Sequence, residues 1–517
     1  MMNTITSVSA WSVLAVAAAA QSTRLASVDS NGVQGNNYSG LYGQTLSGDG
    51  RFVAFNSGAT NLVPGGSPLA WAVFVHDFMT GATSMVSVDS NGNFGTGLTP
   101  SICADGHAIA FNSGTAFVPG DTNGRTDIYM HDLVSGATTL VSVDGSGGLF
   151  YGGQCGAAAI SGDGRTVAFH FIISKTKYHF TDNVYVKDTQ TGVLTCASVD
   201  PNGAATYLHS IDPAISRDGS YVAFQSDQDS LVTGDTNGDI DIVVRDVVGG
   251  VSSLASVDSS GSPSNGDSSD AAISADGRCV AFTSVATNLV SSDTNGHADV
   301  FVRDLQAGTT TLVSVDSNGN QADADCLHPW LSADGRLVTF ESAADNLVPG
   351  DTNGVVDVFV HDLQSGTTRR SSVDPNGNPS NGKSDAASIS ADGRFVCFHS
   401  IASNLVANDT NGTDDVFLHG PDLTLEADPQ MPVAGATLTF STWTGGSSAP
   451  SLLVVTDVNG TPSFFPALLG AFDVNGLWTF AATVPSGLAG DVITFETLGI
   501  VPSGKVGVSN PFAVSFQ

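Results

Sequence analysis

An Asp-Gly pair recurs through most of this chain, at Asp49, Asp105, Asp163, Asp218, Asp276, Asp334 and Asp392, with spacings of 56, 58, 55, 58, 58 and 58 residues. A fixed period of this length means one supersecondary unit copied many times, each too thin to bury its own apolar faces. In the copy at 331–374, four short runs rich in β-branched and aromatic residues follow one another: the segment before Ser332, then RLVTF, DVFVHD and TTRRSSVD. Such runs, parted by turn chemistry, read as strands. Asp-Gly supplies the positive φ angles of a tight hairpin, so the first two strands pair antiparallel, and Ser365-Gly366 joins the last two in the same way. RLVTF carries apolar groups on both faces, as a strand does when sheets cover it on both sides. Four-stranded sheets that must bury both faces solve the problem by stacking radially, as a β-propeller.

Counting strands predicts how the ring closes. The SVD strand occurs seven times, ending at Asp29, Asp89, Asp144, Asp200, Asp258, Asp316 and Asp374. The first, TRLASVD, precedes any complete unit, while the last unit stops at DDVFLHG without one. The sequence therefore predicts an all-β chain with a seven-bladed β-propeller over 23–419, closed by the N-terminal strand in blade 7. Residues 420–517 break the period. Runs such as TLTFSTW, SLLVVTD and DVITFETL, with turns at Asp457–Gly460 and Asp473–Gly476, read there as an immunoglobulin-like β-sandwich serving adhesion or spacing. Residues 1–20 read as a secretory signal, from the apolar run WSVLAVAAAA and the small residues before Gln21, although no Lys or Arg precedes that run.

The repeat resembles the TolB-type propeller units, relatives of the WD repeats, which carry S-x-D-G-[RK] before an apolar strand and then D-[IV]-[YF]-V. Ser274, Asp276, Gly277 and Arg278 match the first part, and Asp299, Val300, Phe301 and Val302 the second. The resemblance covers about four fifths of the chain and implies the fold; such propellers serve both as binding scaffolds and as domains of enzymes, so it implies no single activity.

Charge narrows the partners. With 50 acidic against 17 basic residues the formal charge is −33, which opposes binding to nucleic-acid phosphates or anionic membranes. Charged residues make up only 13%, and no run reaches the length of a membrane span, so a secreted or periplasmic monomer is expected. Of six cysteines, Cys196, Cys279 and Cys397 stand where sister units carry Leu or Ala, as core substitutions. Cys103 replaces the Ser before its turn, and Cys155 and Cys326 belong to blades that are not neighbours. None has zinc-site spacing.

Strand alternation puts the short Asp-Gly and Ser-Gly turns on one face of the ring and the longer connections on the other, where binding is expected. D-T-N-G-x-x-D recurs in the second-to-third-strand loop: Asp121, Asn123 and Asp127; Asp235, Asn237 and Asp241; Asp293, Asn295 and Asp299; Asp351, Asn353 and Asp357; Asp409, Asn411 and Asp415. Each copy offers three oxygen-bearing side chains around a glycine turn. Two readings stand open, hard ligands for calcium, completed by carbonyls and water, or Asx turns with the last Asp opening a strand. The motif also resembles the Asp-rich calcium loops of integrin-type propellers, but lacks their first Asp.

Blades 1 and 3 lack the motif. In its place blade 3 has a loop, FHFIISKTKYHFTDN, that gathers His170, Lys175, Tyr178 and His179, joined on the same face by Tyr207 and His209. Propeller polysaccharide lyases use such groups to neutralise a uronate and move its proton; the blander reading, favoured here, is ordinary divergence of one blade, with His and Tyr covering apolar surface. A third pattern places His76, His131, Arg245, Arg303, His361 and His419 at one strand position, where surface ion pairs with the turn arginines are expected. Two functions remain: a non-enzymatic scaffold binding a protein or glycan through its long-loop face, with calcium ordering the loops, or a carbohydrate-active lyase or hydrolase working from blades 3 and 4.

Overall fold

A computed structural model describes residues 21–40, 45–65, 71–150, 153–176, 179–205 and 209–421, together with strands between 426 and 515. Seven four-stranded antiparallel sheets follow one another around a ring. Blade 6 is representative: Cys326–Leu331 innermost, then Leu337–Ser342, Asp357–Asp362 and, outermost, Thr367–Arg370. Blade 7 takes three strands from the end of the ring, Ser384–Ile389, Val396–Ser400 and Asp415–Pro421. Its fourth is the N-terminal strand Gln21–Leu25, which pairs from Gln21↔Pro421 to Leu25↔Phe417. Closure through the first strand is thus as expected, and it removes the open edge that a ring of blades would otherwise leave.

Each core lies between adjacent blades. Phe340 and Phe359 stack within blade 6 with ring centroids 5.8 Å apart, and Phe55–Phe74, Phe282–Phe301 and Phe398–Phe417 repeat the arrangement. These rings are fully buried, which is why the repeat spends its aromatic residues on the second and third strands.

The turns differ from expectation in one respect. Only the glycine takes positive φ (Gly50, 70°); the aspartate contributes its side chain instead. Ser47 Oγ and Arg51 N both donate to Asp49 Oδ1, at 2.5 and 3.0 Å, and Gly50 N donates to Ser47 O at 2.9 Å. The residue between Ser and Asp then links the blades. Gly48 N donates to Ala104 O, Ala104 N to Gly162 O, Asp163 N to Arg217 O, Arg217 N to Ala275 O, Ala275 N to Ala333 O, Ala333 N to Ala391 O and Ala391 N to Gly48 O, all at 2.8–3.0 Å. This closed belt of backbone bonds narrows the channel at the short-turn face. At Gly48 the approach is close, since a Cβ there would sit 3.1 Å from Ala104 O, whereas blade 4 accommodates Arg217 in the same belt.

The recurrent His/Arg position is a correction. These side chains are buried, or half-buried at Arg303, not paired at the surface. His76 Nδ1 bonds Thr83 Oγ1 at 2.8 Å, and Thr83 Oγ1 donates to Val28 O of the adjoining blade at 2.5 Å. A hydroxyl has one proton, so the ring nitrogen must be the donor in the first bond. His131–Thr138–Val88 and His361–Thr368–Val315 repeat the chain, and Arg303 reaches Thr310 Oγ1 at 3.1 Å. The surface pairs belong instead to the turn arginines: Arg51–Asp77, Arg278–Asp304 and Arg336–Asp362, each 2.6 Å, and Arg165–Asp188, 2.5 Å.

Blade 3 is a second correction. Its long connection is not a loop but an extended hairpin, with Thr166–Thr176 paired to His179–Asp188 from Thr166↔Asp188 to Thr176↔His179. The β-branched and aromatic run continues the ladder where sister blades turn into D-T-N-G. All six cysteines are free thiols. Beyond Pro421 the strands pair antiparallel in a three-stranded and a five-stranded set. How those two sets face each other, which is the sandwich expectation, and the export signal over 1–20 both lie outside the described residues. Among the described residues no helix is long and apolar enough to cross a membrane.

Candidate functional site

Two repeat positions lie on the two inner strands of the blades, and in blades 6 and 7 they border a cavity. In the second strand, the residue seven after each turn aspartate is polar in an otherwise apolar run: Asn56, Asn112, His170, Gln225, Thr283, Glu341 and His399. In the innermost strand, the residue six before the turn aspartate sits in a bulge with positive φ: Thr99 (46°), Asp212 (52°), Asp270 (56°), His328 (50°) and Ala386 (47°). A bulge leaves its residue out of the ladder and kinks the strand, which frees these groups to serve the channel. The strained φ is tolerable for Asp and His and costly for Thr99.

Between blades 6, 7 and 1 these positions border a cavity of ≈ 600 Å³ lined by Tyr38, His328, Trp330, Glu341, Lys383, Asp385, His399 and Asp414 among others. His328 Nδ1 lies 2.6 Å from Glu341 Oε1, whose other oxygen accepts Ala386 N at 2.8 Å. His399 Nε2 lies 2.5 Å from Asp385 Oδ1, and Lys383 pairs with the second oxygen of the same carboxylate. Hydrogen bonding to Glu341, opposed by burial and helped by Asp270 and Asp385, raises His328 to about 9, so its ring is cationic at neutral pH. Burial pushes the Asp385 carboxyl up, but His399 and Lys383 outweigh it and hold the group below its ordinary value. Tyr38 meets Trp71 edge-on with centroids 5.3 Å apart and His399 edge-on at 6.2 Å.

The blade 3 and 4 candidates are only partly assembled. His170 is buried and its Nδ1 has no hydrogen-bond partner; burial lowers its pKa, and burial raises that of neighbouring Asp212. His209 Nδ1 lies 2.7 Å from Asp182 Oδ2. Lys175 and His179 fall within the hairpin strands, while Tyr178 and Tyr207 lie outside the described residues. Sequence reasoning missed His328, Glu341, Asp385 and His399. Reading the repeats as columns exposes Glu341 and His399, because a polar residue persists at one position of strands such as RLVTFE and RFVCFH; no such column marks His328 or Asp385.

The D-T-N-G loops share a fixed geometry. In each, the asparagine Oδ1 accepts the N–H two residues on, as in Asn237–Asp239 at 3.2 Å and Asn411–Thr413 at 2.9 Å. Its amide donates to a carbonyl of the following long loop, as Asn237 does to Ser264 O at 3.1 Å. The asparagine is therefore a clamp between the two long loops. The final aspartate accepts a serine of the SVD strand on Oδ1: Ser142 for Asp127, Ser256 for Asp241, Ser314 for Asp299, Ser372 for Asp357 and Ser27 for Asp415. Its Oδ2 is left on the side of the first aspartate of the loop. Burial raises the pKa of most of these carboxyls, to about 6 for Asp235, Asp299 and Asp415.

Comparison with known proteins finds distant structural likenesses only. No family model and no curated protein matches the chain. Among solved structures, it is similar to an oligogalacturonate lyase from Vibrio parahaemolyticus, at 12% identity and TM-score 0.48, over 78% of this chain and 97% of that one. It is also similar to a putative TolB from Agrobacterium tumefaciens, at 17% identity and TM-score 0.35, over 56% and 83%. A third likeness is to dipeptidyl peptidase 4 from Porphyromonas gingivalis, at 12% identity and TM-score 0.40, over 77% and 57%. The blade count rests on this chain's own strand pairing.

Proposed function

We propose that this propeller is a binding scaffold that seats a neutral glycan in the cavity between blades 6, 7 and 1. The observation that carries the reading is the pairing of aromatic side chains, Tyr38 and Trp330, with closely spaced hydrogen-bonding groups around ≈ 600 Å³. Sugars present apolar faces rimmed by hydroxyls, and such walls suit them. The −33 charge disfavours uronate polymers. On this reading residues 1–20 are an export signal, 23–419 the propeller and 420–517 an immunoglobulin-like spacer, in a secreted or periplasmic monomer.

The enzymatic alternative draws support from the His–carboxylate pairs, His328–Glu341 here and His209–Asp182 in blades 3 and 4. Against it, Glu341 is occupied by His328 and Ala386 N, and Asp385 by His399 and Lys383. A general base near neutral pH needs a free lone pair and a pKa near 7, which a ring at about 9 does not offer. The test is a panel of neutral, amino-sugar and uronate-containing oligosaccharides, read for binding and, after long incubation, for cleavage by mass spectrometry. Binding of a neutral member, weakened at least tenfold by Trp330→Ala and without cleavage, is expected. Absence of binding to every member overturns the glycan reading, and cleavage lost with His209→Ala establishes the enzymatic one.

A further inference from the structure

The five D-T-N-G loops place two buried carboxylates side by side, and four of the five supply a donor to that pair from a residue found at no equivalent place in blade 4. In blade 6 the Arg370 guanidinium nitrogen Nη1 lies 2.8 Å from Asp351 Oδ1 and 3.2 Å from Asp357 Oδ2. In blade 7 the Gln34 amide nitrogen donates to Asp409 Oδ1 at 2.8 Å and to Asp415 Oδ2 at 2.7 Å. Two different side chains, arriving from different strands, thus put a nitrogen on the same two oxygens. Blades 5 and 2 do so by halves: Gln321 donates to Asp293 Oδ1 at 3.4 Å, and the Tyr129 hydroxyl donates to Asp121.

Blade 4 has none of these. Where blade 6 has Arg370 it has Leu254, where blade 7 has Gln34 it has Pro263, and where blade 2 has Tyr129 it has Val243. Asp235 and Asp241 are 7% and 1% exposed, and both facing oxygens, Asp235 Oδ1 and Asp241 Oδ2, lack a hydrogen-bond partner, whereas the loops of blades 2, 5 and 6 each leave a single such oxygen, on Asp127, Asp299 and Asp351. They are the counterparts of the two that a nitrogen of Arg370 or Gln34 approaches. The Asn237 amide donates to Ser264 O at 3.1 Å, whereas its counterparts Asn353 and Asn411 also donate to the final aspartate's Oδ2, at 2.7 and 2.8 Å. Ser256 and Ser264 donate to Asp241 Oδ1 only, so the two facing oxygens are left to be relieved by a cation or by a proton.

We infer that the blade 4 loop is a divalent cation site, held by Asp235 Oδ1 and Asp241 Oδ2, and that Arg370 is the protein's own cation in the sister slot of blade 6. Calcium fits better than magnesium, because two carboxylates completed by loop carbonyls and water give an irregular oxygen shell that only the larger ion accepts. A site with two carboxylates belongs at the weak end of the protein range, with a Kd of about 10⁻⁴–10⁻³ M. One site per chain replaces five, and the repeats differ in how they neutralise one shared motif.

The test is equilibrium dialysis of the full chain, stripped with EDTA, against calcium up to about 5 mM, several times that Kd range, with magnesium in parallel. The wild type is expected to take up one calcium per chain and no magnesium. Asp241→Asn should take up none. Arg370→Leu, which gives blade 6 the leucine of blade 4, should take up two. This gain stands even where Asp241→Asn fails to fold. A wild type that binds no calcium means the pair is relieved by a proton and overturns the assignment. So does a wild-type count above one, or an Arg370→Leu count equal to the wild type's.

Discussion

Thr23 and His419, 396 residues apart in the chain, share a 2.9 Å hydrogen bond between Thr23 Oγ1 and His419 Nδ1. Thr23 Oγ1 also donates to Val373 O at 2.6 Å, so the N-terminal strand rebuilds in blade 7 the His–Thr–carbonyl chain that other blades make within themselves. Closure of the ring therefore has a buried polar lock as well as a ladder.

Thr23→Val keeps the side-chain shape and strips both bonds, leaving a buried ring N–H and a carbonyl unsatisfied. A loss of about 1–3 kcal/mol is expected in denaturant unfolding, with the midpoint moved and the slope kept. Deleting residues 21–27 should go further, exposing Asp415–Pro421 as an edge. Gel filtration should then show aggregates or larger species; a monomer melting like the parent would show that the ring does not depend on this strand.

Acid should weaken the same locks. Burial lowers His76 and His419 from 6.5 to about 4, so the unfolded chain takes up their protons first. Their contribution is complete above pH 6.5 and is lost as pH falls toward 4. The cost is roughly 2 kcal/mol each by pH 5, partly offset by the carboxyls near 6, whose protonation favours the folded state. A His76→Gln, His419→Gln double variant should show a flatter stability profile between pH 6.5 and 5; an unchanged slope would place the acid transition elsewhere.

The opposite sign applies at the mouth. His328 is raised to about 9, so its pairing with Glu341 stabilises fully below pH 6.5 and fades as pH rises through 9. Because the His328 side chain is 52% exposed, solvent screening reduces the effect to about 1 kcal/mol or less. Melting followed from pH 6 to 10 should fall more for the wild type than for His328→Gln.

Burial separates residues that look alike in the repeat. Phe340→Ala, at a fully buried ring stacked on Phe359, should cost about 3–5 kcal/mol. Arg278→Ala removes a solvent-screened pair with Asp304 and should leave the unfolding midpoint nearly unchanged. Comparable losses for the two would contradict the inter-blade packing as the main source of stability.

The period of the Asp-Gly turns and the displaced SVD strand determined, from sequence alone, the all-β class, seven blades and closure by the N-terminal strand. Those are properties of a pattern repeated seven times, in which each copy confirms the rest. What the pattern does not carry is which positions of different copies meet. His328 and Glu341 meet across strands that bulge at Leu327/Trp330, and the sequence offers no sign that the bulge turns a histidine toward the channel. Blade 3 read as a loop because its lysines and histidines suggested exposure, whereas ladder hydrogen bonds extended both strands. The five D-T-N-G loops read as equivalent because their own residues match. Their difference lies in Arg370, Gln34, Gln321 and Tyr129, which lie outside the motif on other strands or loops. Tertiary structure decided the sites because the charge of a buried carboxylate is settled by whatever neighbour reaches it through space, and that neighbour is set by blade packing, not by chain order.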